Sequence, residues 1–112
     1  MTLPAAPALQ ACIVACLAAH AALRAQVGAS PGVRGAAESP LERLLRDCSE
    51  VCLATAQYLR SESVFLQRMC EACAAMCEEC ADASFAAGGL DAVVGACREC
   101  AACCRALLAV PD

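Results

Sequence analysis

Residues 70–80 read Cys-Glu-Ala-Cys-Ala-Ala-Met-Cys-Glu-Glu-Cys. Cys70, Cys73, Cys77 and Cys80 therefore recur at steps of three, four and three. Those steps return to one face of an α-helix, where neighbouring Cβ atoms lie about 5–6 Å apart. Glu71, Glu78, Glu79 and Asp82 suit a solvated face of the same helix. Four thiols on one helical stripe set the terms for the rest of the chain.

Outward from this stretch the same spacing recurs. Cys97, Cys100, Cys103 and Cys104 form C-x-x-C-x-x-C-C, and Cys12/Cys16 and Cys48/Cys52 are C-x-x-x-C pairs. Eleven of the twelve cysteines form one stripe per segment, with Cys103 toward the edge of its stripe. Large apolar residues continue the stripes: Leu9 and Leu23, then Leu41, Leu45 and Leu59, then Leu66, then Val93 and Leu107. The cysteines thus belong to an inward face.

Turn signals divide the chain into four helices, predicted over about 8–27, 40–60, 64–86 and 90–110. Gly28 to Gly35 is the clear loop. Ser39-Pro40-Leu41-Glu42 is a helix start, with Ser39 as N-cap, Pro40 as first helical residue and Glu42 as capping-box partner. Ser61-Glu62-Ser63 is a short break. Gly88-Gly89 stops the third helix, because glycine takes the left-handed conformation a helix end needs, and Pro111 closes the fourth. No strand signal competes. The expected fold is all-α, a single antiparallel up-down-up-down four-helix bundle over residues 1–112 with a cysteine-lined core.

Composition agrees with a helical core of small side chains. The chain is 61% hydrophobic but 3% aromatic, so its apolar count rests on alanine and cysteine. Twelve cysteines in 112 residues require disulfides or metal. The N-terminal stretch has no positively charged leader and no twin arginine, and its apolar run is expected to fall short of the roughly 20 residues that span a bilayer. A cytoplasmic location, where thiols stay reduced, is the resulting expectation, and it favours metal. A net charge of −4 without a basic patch excludes nucleic acid as the expected partner.

Antiparallel folding registers the stripes. About Gly88-Gly89, Cys80 faces Cys97, Cys77 faces Cys100 and Cys73 faces Cys104. About Glu62-Ser63, Cys48 falls level with Cys77 and Cys52 with Cys73. The first helix brings Cys16 to the level of Cys48 and Cys52. His20, one turn beyond Cys16, falls toward the Cys80 and Cys97 end.

Soft thiolates select Cu(I), zinc or iron–sulfur clusters. Zinc prefers closed tetrahedra, usually built from loops that bend around it. Straight helices supply pairs of sulfurs, which satisfy Cu(I). All twelve cysteines, Cys103 included, are candidate ligands. Thiolates that each bridge two ions give about one Cu(I) per Cys, and one thiolate per Cu(I) leaves a neutral core with little burial penalty. The alternatives are an iron–sulfur electron carrier and a zinc-thiolate buffer. For the former, Cys97, Cys100 and Cys103 begin the bacterial ferredoxin run, but its Cys–Pro does not follow.

The whole chain resembles the four-helix bundle copper storage proteins, on Cys12/Cys16, Cys48/Cys52, Cys70/Cys73/Cys77/Cys80 and Cys97/Cys100/Cys104, each set on its own helix. The resemblance implies multiple Cu(I) ions inside the bundle, a homotetramer, and a role as copper reserve or in detoxification, served by copper donor or acceptor proteins. It is the cytosolic branch that the chain looks like.

Two functions are read at the column's ends. His20 is the candidate ligand at a mouth rich in Ala and Gly, though Leu23, Leu41 and Phe85 are there too. Leu59, Phe65, Leu66, Leu107 and Leu108 are expected to plug the other end. Met69 and Met76 are gap-fillers or transfer thioethers, and Asp47 is a candidate cation attractor. No Ser-His-Asp set, second histidine or phosphate loop is present, so no enzymatic activity is expected.

Overall fold

The computed structural model describes residues 6–29 and 38–109, and the regular structure among them is helical. The elements are α1 (Ala6–Ala29), α2 (Pro40–Arg60), α3 (Leu66–Ala87) and α4 (Asp91–Leu108). Pro7 falls in the first turn of α1, where a missing N–H costs nothing, so this helix starts before the predicted residue 8. It also carries through Gly28, two residues past its predicted end; the rest of the predicted loop lies outside the described residues.

Ser39 caps α2 as its sequence predicts. Ser39 Oγ accepts from Glu42 N at 3.1 Å, and Glu42 Oε1 accepts from Ser39 N at 3.4 Å. Past Arg60 the chain turns through Glu62 at φ 51, in the left-handed region. Ser63 then holds the next two residues in a turn: its Oγ accepts from Phe65 N and its carbonyl from Leu66 N. The third helix consequently begins at Leu66 rather than at residue 64. Gly88 and Gly89, both at φ 78, end α3, and Asp91 supplies an acidic side chain to the first turn of α4. The end of α4 expected at Val110 and Pro111 falls outside the described residues.

α1 packs on α2 and α4, and α3 packs on the same two helices, which makes a four-membered ring of antiparallel neighbours. Buried alanines, among them Ala19, Ala56, Ala74, Ala81 and Ala101, allow the close approach. On the surface, Arg105 bridges α4 to Glu78 of α3 through two bonds, at 2.8 and 3.2 Å. Both side chains are exposed, so that pair contributes little stability.

Sulfur fills the middle of the core and aliphatic residues close both ends. Leu59, Leu66 and Leu107 are buried at one end as predicted, with Leu108 partly buried. Phe65 is a correction: at 59% exposure it plugs nothing, because the turn before α3 directs it outward. The opposite end is closed as well, by buried Leu23, Leu45 and Val93, with Leu41 partly buried. Phe85 stays exposed there under the Arg98 guanidinium, 5.5 Å from its ring centre.

The apolar stretch of α1 is also longer than expected. Ala6–Val27, 22 residues, is long and apolar enough to cross a membrane by length and composition. Alanine and cysteine count as apolar, and Gln10, His20, Arg24 and Gln26 do not offset them. In the bundle this helix buries Leu9, Cys12, Cys16, Ala19 and Leu23.

Candidate metal centre

Eleven of the twelve cysteines are buried, and all twelve are thiols. Their sulfurs form a continuous column. Cys12 Sγ lies 3.6 Å from Cys104, Cys100 3.6 Å from Cys16, and Cys73 3.7 Å from Cys100. Further along, Cys77 lies 3.5 Å from Cys52 and 3.7 Å from Cys48. Four groups have all their sulfurs within 4.8 Å of one another: Cys12/Cys70/Cys104, Cys16/Cys73/Cys100/Cys104, Cys52/Cys73/Cys77/Cys100 and Cys48/Cys77/Cys97. Diagonally opposed helices, which otherwise do not meet closely, come together here through Cys16 with Cys73 and Cys52 with Cys100.

The registers expected across the short turns are those of the structure. Cys77 is grouped with Cys100, Cys73 with Cys104, Cys48 with Cys77 and Cys52 with Cys73. Cys16 differs. It joins Cys73, Cys100 and Cys104, and not Cys48. The connection between α1 and α2 is long, so its length does not set the offset of α1; packing against both α2 and α4 does.

Cys80 and Cys103 belong to none of these groups. Cys80 is nevertheless buried beside Cys48 and Cys97. Cys103 is only partly buried, and its nearest polar partner is Glu99 Oε1 at 3.8 Å. It sits at the flank of α4, outside the column. His20 is partly buried and also outside the groups, with Nδ1 2.8 Å from Ser49 O. A carbonyl oxygen only accepts, so Nδ1 donates, and Nε2 is the ring nitrogen outside that bond. Met76 packs against the core, Met69 is partly buried, and Asp47 is exposed.

The sulfurs set one another's proton affinity. Cys73 is held well below the usual thiol range, first by hydrogen bonding from Cys100, and Cys12 likewise by Cys104. Cys48 is pulled down to about 6, first by Cys52 and then by Cys77. Their partners move the other way: Cys77 and Cys104 are pushed up, each first by its bond to Cys100. Cys48 draws Cys80 down, but Cys97 and burial outweigh it and leave Cys80 raised to about 11. Such a core favours soft cations, which replace protons on sulfur and cancel thiolate charge in place.

Three buried polar residues, Ser49, Thr55 and Ser84, escaped the sequence reading. Ser84 is buried four residues beyond Cys80, and its Oγ has no hydrogen-bond partner among the described residues. The signal was its place on the Cys70–Cys80 stripe.

A four-helix bundle around a column of reduced, mutually touching thiols defines a class of protein whose core can hold metal. The sequence model of the copper storage protein (Csp) family matches residues 4–109, and the chain belongs to that family. It is also similar to the crystal structure of the Nmul_A1745 protein from Nitrosospira multiformis, with a TM-score of 0.84 at 29% identity, over 96% of this chain and 100% of that one. No curated protein gives a significant match to the chain.

Proposed function

We propose that the protein stores multiple Cu(I) ions as Cys-thiolate clusters inside the bundle, as a reserve or for detoxification. The observation that carries this reading is the chain of overlapping thiol groups, four in number, none of which is isolated from the next. Two or three sulfurs suffice for Cu(I), and shared sulfurs let adjacent ions form one cluster. Each Cu(I) replaces one thiol proton, so the filled core stays neutral and its burial costs little. The ligands in this reading are Cys12, Cys16, Cys48, Cys52, Cys70, Cys73, Cys77, Cys80, Cys97, Cys100 and Cys104, with Cys103 an outlying thiol and His20, partly buried beside Ser49, a transfer ligand toward the Cys80 end. The role is storage rather than catalysis.

The same reading has the protein working in the cytoplasm, where the thiols stay reduced, and exchanging copper with donor or acceptor proteins. It assembles as a homotetramer. Val14, 56% exposed on the outward side of the apolar helix α1, supports an interface between copies. Analytical ultracentrifugation of reduced protein should return four times the chain mass; a monomer would remove this element.

The central test is an anaerobic titration of reduced protein with Cu(I), followed in the ultraviolet and by metal analysis. Uptake of about one Cu(I) per thiol of the column is expected, with ultraviolet charge-transfer bands and no visible colour. Saturation at about one to four equivalents would point instead to delivery or sensing. A brown protein would be an iron–sulfur carrier.

A further inference from the structure

Position 84 extends the stripe of Cys70, Cys73, Cys77 and Cys80 by one more helical step, but carries a hydroxyl. Ser84 is 0% exposed, and its Oγ is unpartnered among the described residues. The other two buried hydroxyls are satisfied on their own helix: Ser49 Oγ donates to Arg46 O and Thr55 Oγ1 to Val51 O, each at 2.7 Å. Ser84 makes no such bond back to α3. It lies one helical turn beyond Cys80 on the same face of α3. The buried layer at this end is otherwise aliphatic, formed by Leu23, Leu45 and Val93.

A buried hydroxyl without a partner is a standing cost, and the group that would relieve it is a charged acceptor. A metal-free Cys80 is a thiol and accepts weakly. Copper loading turns it into a thiolate, an acceptor only and a much stronger one. Resting on the storage reading above, we propose that Ser84 is the terminal polar member of the metal column, where its hydroxyl donates to the Cys80 thiolate of a bound Cu(I) and holds that ion in place. As the copper–sulfur bond forms, the Cys80 proton leaves to solvent, and Ser84 keeps its own proton and shares it with the sulfur. Copper changes no oxidation state. Cys80 stands outside the four tight thiol groups, so an ion there has the fewest sulfurs and depends most on such support.

The test compares reduced wild type, Ser84→Ala and Ser84→Cys, each first checked for helical content by circular dichroism. Each is titrated anaerobically with Cu(I), then challenged with the Cu(I) chelator bathocuproine disulfonate. Ser84→Ala should fill to the wild-type count but release its most labile ion roughly tenfold faster, the loss expected for one hydrogen bond to a charged sulfur. Ser84→Cys, which adds a thiol to the stripe, should take up about one ion more. Wild-type protein that binds few ions or none would overturn the storage reading and this proposal with it. Full loading of wild type combined with wild-type release from Ser84→Ala would overturn the role of Ser84 alone.

Discussion

Cys73, Cys77, Cys100 and Cys104 each belong to two of the four thiol groups, and all four come from α3 and α4. They are the sulfurs placed to bridge two ions, whereas Cys12, Cys16, Cys48 and Cys52 of α1 and α2 each join one group. Replacing Cys100 by Ser should therefore lower the Cu(I) count by more than one. Cys103→Ser should leave the count nearly intact, since this thiol sits at the flank beside Glu99. Equal losses in both variants would mean that the groups do not describe the clusters. His20 is argued at the same scale. His20→Ala should alter the rate of copper loading or removal by chelator while leaving the final count near wild type, and Cys16→Ala should lower the count. The loss of the bond to Ser49 O adds about 0.5–1.5 kcal/mol of destabilisation, visible by urea unfolding of metal-free protein. Unchanged exchange kinetics would make that bond the whole role of His20.

Each helix carries its own start or stop, and α2 carries the best-defined start. Its capping box satisfies two backbone donors at once, Glu42 N on Ser39 Oγ and Ser39 N on Glu42 Oε1. Ser39→Ala should cost about 1 kcal/mol in the reduced metal-free protein. The aliphatic closures matter more. Leu59→Ala removes a 1% exposed side chain at the end of the column and should cost about 2–5 kcal/mol, measured by the same unfolding curve. A smaller loss would show that the layer collapses around the gap. Phe65, held outward by the Ser63 turn, should tolerate Ala with little change, within about 0.5 kcal/mol.

At the scale of the molecule, closed aliphatic layers at both ends, the capping box of α2 and the glycine stop of α3 make the bundle independent of metal. Reduced metal-free protein should give a helical circular-dichroism spectrum, and a disordered one would refute this account of the closures. Copper then adds stability by mass action, about 2.7 kcal/mol per site at a free concentration one hundredfold above its dissociation constant. Binding is linked to protons with a definite sign. Cys80, raised to about 11, is protonated near neutral pH, so an ion bound there displaces close to a full proton. Its affinity should fall about tenfold for each unit of acidification below that value. Cys48, drawn down to about 6, releases less than a full proton at neutral pH and should be less sensitive there. Competition titrations at two pH values, with proton release measured in parallel, check both.

The helices, their turns and the inward stripes were legible in the sequence because each depends on contacts within a few residues. Steps of three and four place Cys70 to Cys80 on one face whatever surrounds them, Ser39 caps its own first turn, and Gly88-Gly89 reverses the chain locally. Short turns also carry register, so the levels of Cys77 with Cys100 and of Cys48 with Cys77 followed from the sequence alone. Packing decided the rest. The offset of Cys16 depends on how α1 lies against α2 and α4, and that packing is not written in any one segment. Cys103 shares its helix with Cys100 and Cys104, yet a rotation of α4 by less than a residue's turn separates column from flank. Ser84 shows the same division. Its stripe position is a property of α3, but its lack of a partner exists only once three other helices have closed over it and excluded water.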